Sequence, residues 1–106
     1  MRSWLAGVCL MAISAPALAQ SPPGSAEAGK AIALRSCANC HLVAEQQPRP
    51  GSDGVPTFAA IARNPRFAAE NLRTFLQAPH PPMPDLALTR AEIADLAAYF
   101  ESLKTP

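Results

Sequence analysis

The run Cys37-Ala38-Asn39-Cys40-His41 constrains this chain more than any other five residues in it. Side chains three apart share one side of a helical turn, so the two thiols can face a common neighbour. The imidazole, next in sequence, is carried round toward the same space. Such a cluster requires a helical turn to present it and a partner for the sulfurs to bind. The rest of the chain is small for that task. Arg2, the apolar stretch Trp4 to Ile13 and the small residues of Ala17-Leu18-Ala19 have the form of an export signal cleaved after residue 19. The apolar run is shorter than the roughly 20 residues of a membrane span, and Pro16 interrupts it. Cys9 lies inside this segment and leaves with it. The 106 residues less those 19 leave 87, enough for one domain with a modest core. Without Arg2, eight Lys and Arg face eight Asp and Glu, so there is no basic field for nucleic acid. No segment after residue 19 is apolar enough to span a membrane.

The remaining sequence predicts helices and proline-rich loops, with no strand, repeat or low-complexity tract. Residues 20–24 read as a flexible terminus, and the domain spans 25–106. Ser25 is a helix cap, and the helix it opens, Ala26 to Ser36, leads straight into Cys37. Gln46 to Pro56 is a loop, because its prolines and glycines break helix and ladder alike. A short helix follows at Thr57 to Ala62. Asn64-Pro65 then pairs a cap with proline at the first helical position, predicting a helix that carries Phe67, Ala68, Leu72, Phe75 and Leu76 and stops at Pro79. A second loop, Pro79-His80-Pro81-Pro82-Met83-Pro84, holds the one methionine after residue 19. The last helix opens on a capping box, Thr89-Arg90-Ala91-Glu92, and spaces Ile93, Leu96, Ala97, Phe100 and Leu103 along one face. This all-α arrangement of three to five helices leaves two rigid loops in need of something to pack against.

Three chemistries use cysteines spaced in this way. A redox-active Cys-x-x-Cys normally opens a helix after a strand in an α/β domain, and no such pattern precedes Cys37. Structural zinc takes four ligands, whereas two cysteines and two histidines without finger spacing are on offer. Cys-x-x-Cys-His is the attachment pattern for a covalently bound haem: Cys37 and Cys40 form thioethers with its two vinyl groups, and His41 reaches the iron. Covalent attachment also restricts the unfolded chain, which helps a small core. The sixth iron position then decides between electron transfer and ligand chemistry. Met83 is the candidate for it, in a loop whose flanking prolines suit a fixed side chain better than a gap-filling core residue. His80, three residues away, is its competitor and is expected at the surface.

From Ser25 to Leu103 the chain resembles a class I cytochrome c. The resemblance rests on Gly29 eight residues before Cys37, the CANCH run, the Gly54-Val55-Pro56 turn, the Pro-Met-Pro loop and Asp95-Leu96-Ala97-Ala98-Tyr99 in the last helix. It implies a cytochrome c-like fold wrapped around one haem c, with His41 and Met83 as axial ligands of its iron. It implies also that the Pro56 carbonyl accepts a hydrogen bond from the other nitrogen of His41, orienting the ring and raising its donor strength. Gly29 would let the first and last helices cross closely, against Leu96 and Tyr99. One departure stands out: Ala33 occupies the position four before Cys37 where such proteins carry an aromatic residue, leaving the crossing to Leu34 or Phe100. Arg49, Arg63 and Arg66 are candidates for the haem propionates by charge alone, and surface arginines by default.

The expected function is one-electron transfer between redox partner proteins in the periplasm, by a monomer or weakly associated subunit and without catalysis. A thioether ligand favours reduced iron, so the reduction potential should be positive and relatively high. The competing functions are a haem peroxidase or gas sensor with an open sixth position, and the electron-transfer subunit of a larger dehydrogenase or oxidase.

Overall fold

A computed structural model describes residues 24–78 and 80–105. The export segment 1–19, most of the terminal stretch before Ser25, Pro79 and Pro106 lie outside the described residues. Among the described residues four α-helices follow one another: α1 (Ala26–Ser36), α2 (Phe58–Arg63), α3 (Leu72–Gln77) and α4 (Arg90–Ser102). A single 3-10 turn, Ala69–Asn71, runs into α3. The described residues contain no strand, and none of their helices is long and apolar enough to cross a membrane.

Local chemistry sets the ends of the two long helices. The Ser25 hydroxyl accepts the Ala28 amide at 3.2 Å, satisfying one of the donors that a helix start leaves free. At α4 both halves of the capping box are made: the Thr89 hydroxyl accepts the Glu92 amide at 3.1 Å, and the Glu92 carboxylate accepts the Thr89 amide at 2.9 Å. Thr57 caps α2 through the Ala60 amide in the same way, which moves that helix one residue downstream of the expected span.

Helices α1 and α4 form the frame. Gly29 is buried where they cross, and a Cβ on it would lie 2.0 Å from the Asp95 carbonyl oxygen and 2.8 Å from the Tyr99 Cβ. The nearest atoms to that position belong to Asp95 and Tyr99, and Leu96, next to Asp95 on α4, is almost wholly buried. The crossing is tied at its edge by the Ser25 amide, which donates to the Asp95 carboxylate at 2.8 Å. Ala33 is fully buried, and Leu34 is exposed. At about 100° per residue a helix cannot bury both of these neighbours with Gly29, so Leu34 does not fill the crossing. Phe100 is buried and joins the core, stacked on Phe58 at 4.4 Å and tilted against Phe67 at 5.0 Å.

The Asn64-Pro65 signal produces a turn rather than the helix expected there. Asn64 Oδ1 accepts the Arg66 amide at 2.9 Å and the Asn64 carbonyl accepts the Phe67 amide at 2.9 Å, but Ala68 is extended (φ −128°, ψ 127°). Helix resumes only through the 3-10 turn. With Phe67 packed on Phe100, the chain turns at Ala68, and packing overrides the local propensity.

Candidate functional site

The end of α1 presents the thiols. Cys37 is its C-cap, with its amide on the Ala33 carbonyl at 2.8 Å, and the Cys37 carbonyl accepts the amides of Cys40 at 3.2 Å and His41 at 2.9 Å. The turn therefore continues through the pentapeptide. Both are unbridged; Cys37 is buried and Cys40 exposed. Burial pushes the Cys37 thiol up to about 11, so at neutral pH it is protonated.

His41 is oriented by two other elements. Its Nδ1 lies 2.7 Å from the Pro56 carbonyl oxygen. A carbonyl oxygen only accepts, so in the neutral ring Nδ1 carries the proton and Nε2 keeps a free lone pair. Pro56 is presented by the turn in which Gly54 adopts φ 77°. Phe58, the first residue of α2, packs edge-on against the imidazole with ring centres 5.4 Å apart.

The backbone after His41 is gripped from several sides. The Leu42 carbonyl accepts the Phe58 amide at 2.9 Å, and the Cys40 carbonyl accepts the Ser52 amide at 2.8 Å. The buried Tyr99 hydroxyl donates to the Val43 carbonyl, tying α4 to this segment; burial raises the pKa of that phenol. Gln47 holds the same stretch with both ends of its side chain. The sequence offered no sign of Gln47 or of the role of Phe58, since neither a glutamine in a proline loop nor a lone aromatic after it carries a periodicity. The sequence marked Tyr99 for helix packing; its hydroxyl bond could not be read there.

The other candidates have more local surroundings. Met83 is half-buried, with its amide on the His80 carbonyl at 2.9 Å, so the loop turns just before it. His80 is exposed, with its ring 5.8 Å from that of Phe75, which is 49% exposed. Arg49 donates to the Asn39 side chain at 2.8 Å, which places its charge on the attachment loop, while Arg63 and Arg66 are exposed.

These residues discriminate among the three chemistries. Among the described residues no group of three or more His, Cys, Asp or Glu converges on a point where a metal ion could sit, so zinc lacks its ligands. The Cys-x-x-Cys closes a helix rather than opening one after a strand. Two unbridged thiols on one turn, followed by an imidazole with a free Nε2, form the donor set that a haem held by two thioethers and one axial nitrogen requires.

Comparison with known proteins points the same way. The family model described as Cytochrome c matches residues 26–104. Cytochrome c-552 of Bradyrhizobium diazoefficiens is 42% identical over 104 residues, which cover 98% of this chain and 99% of that protein. No solved structure matches.

Proposed function

The chain belongs to the cytochrome c family, a haem electron carrier with covalently bound haem c, and from that premise we propose that it is a periplasmic one-electron shuttle whose haem iron is held by His41 and Met83. The haem supplies an iron that takes up one electron and gives it back. What the protein contributes is attachment, two fixed ligands and exclusion of water. Cys37 and Cys40 would hold the haem by two thioether bonds at the end of α1. The Pro56 carbonyl holds the His41 proton on Nδ1, which leaves Nε2 as donor and makes it a stronger one. Met83 would supply a soft sulfur ligand that favours reduced iron, from a loop stiffened by Pro82 and Pro84. With both ligands supplied by protein, a substrate would have no site on the iron, as befits a carrier rather than an enzyme.

The single observation that carries this reading is the 2.7 Å contact between His41 Nδ1 and Pro56, because it prepares the imidazole for a metal at the one place where the thiols can anchor a haem. Export to the periplasm rests on the segment 1–19, with cleavage after Ala19. The partners are redox proteins, and the chain acts as a monomer or weakly held subunit. The test is a potentiometric titration of Met83→Ala against the wild type. The potential should fall markedly, since water or an open position stabilises oxidised iron relative to a thioether. An unchanged potential would remove Met83 from the iron.

A further inference from the structure

We propose that Gln47 is a positioning residue for His41: its side-chain amide clamps the backbone on both sides of Leu42 and thereby sets the imidazole's hydrogen bond to Pro56. This deepens the reading of His41 as an iron ligand and rests on it. Gln47 Oε1 accepts the amides of Val43 at 2.7 Å and Ala44 at 3.3 Å, and Nε2 donates to the carbonyls of His41 at 3.2 Å and Arg49. Both ends of the amide are therefore committed, each to two backbone groups, in a half-buried position. One side chain thus joins the residue that carries the imidazole to the start of the loop that carries Pro56.

The loop is a belt, and Gln47 is the fastening at its first end. Its far end is fastened by the Phe58 amide on the Leu42 carbonyl, and its middle by the Ser52 amide on the Cys40 carbonyl. At Gly51 the belt runs so close that a Cβ would lie 2.7 Å from the Leu42 nitrogen. The Arg49 guanidinium reaches back to Asn39. Pro56 sits between the second and last fastenings, and its carbonyl faces Nδ1 only while His41 and the belt keep their mutual register. Releasing the His41 carbonyl and the Val43 amide frees the backbone that carries the ring. The Nδ1–H to Pro56 bond then lengthens for part of the time, and the ring becomes a weaker donor. A weaker donor stabilises oxidised iron less, so the potential moves up.

The experiment compares holoprotein of the wild type, Gln47→Met and Gln47→Asn, with Gln46→Met at the exposed neighbour as control. The readouts are solvent exchange of the His41 Nδ1 proton by NMR and the reduction potential. Methionine keeps the length without the hydrogen bonds; asparagine keeps the amide but falls one methylene short. Either variant should speed exchange of the ring proton by about tenfold, the effect of losing the bonds to the His41 carbonyl and the Val43 amide, and shift the potential upward, while Gln46→Met changes neither. Ring-proton exchange and potential both equal to wild type in either folded variant would overturn the proposal and leave Pro56 held by Ser52 and Phe58 alone. Exchange in the wild type provides a variant-free arm. The Val43 amide and the His41 ring proton should open together, with the same opening equilibrium and denaturant dependence, and separate opening contradicts the clamp. Failure here is distinguishable from failure of the His41 ligand reading, because that would appear as a haem spectrum and potential unmoved by His41→Ala whatever Gln47 does.

Discussion

Substituting Gly29 by alanine tests the frame on which the site is built. The added Cβ would lie 2.0 Å from the Asp95 carbonyl oxygen and 2.5 Å from its carbon, about 1 Å inside the closest approach such atoms tolerate. The obstacle is backbone, so no rotamer change relieves it; α1 and α4 must separate by about 1 Å or tilt. That movement stretches the 2.8 Å bond from the Ser25 amide to Asp95 and slackens the reach of the Tyr99 hydroxyl to the Val43 carbonyl. Overpacking costs about 3 kcal/mol when nothing can give way. Alanine's better helix propensity returns about 1 kcal/mol, so the net loss is about 2 kcal/mol. For a domain of this size that corresponds to a drop in Tm of about 8–16 °C. The assay is thermal unfolding of the holoprotein followed by far-UV circular dichroism, with the exposed Lys30→Ala on the same helix as control. A Tm for Gly29→Ala within about 2 °C of wild type would mean that the crossing is looser than the geometry requires, and that helix packing does not fix the site.

Two further substitutions probe the supports individually. Tyr99→Phe keeps the ring but leaves the Val43 carbonyl without its donor in a buried place, and should cost about 1–2 kcal/mol, seen as a lower urea midpoint with unchanged m; an unmoved midpoint would show that the bond contributes nothing. Glu92→Gln addresses the pH dependence of α4. The Thr89 amide and hydroxyl, with a smaller contribution from Arg35, hold the Glu92 carboxyl below its ordinary value. A depressed carboxyl contributes stability above its unfolded pKa and loses it as pH falls through the folded one. The wild type should therefore be the more stable near neutrality and converge on Glu92→Gln as the pH drops below the usual glutamate range; a Tm difference constant with pH would contradict the assigned cause.

What could be read in the sequence was what local chemistry decides. Ser25 and Thr89 announce α1 and α4 because a cap acts on amides two or three residues away. The Gly54–Pro56 turn was legible through its glycine and proline. Contacts across the fold were not. Leu34 and Ala33 are both apolar, and only the direction in which α1 meets α4 decides that alanine goes in. Asn64-Pro65 is a sound helix start locally, and it loses to the packing of Phe67 on Phe100. Gln47 was the least visible of all. Its role consists of four bonds to backbone groups, and backbone leaves no trace in residue identity.

On the proposed function His41 and Met83 both hold the iron, and the protein carries electrons without binding a substrate. Carbon monoxide tests it most directly, because it binds reduced haem iron only where a position is open or readily vacated. Added to the reduced wild-type holoprotein at neutral pH, carbon monoxide should leave the Soret band unmoved, and the same addition to Met83→Ala should shift it at once. A prompt shift in the wild type would mean that the sixth position is open and make this chain a ligand-binding haem protein instead.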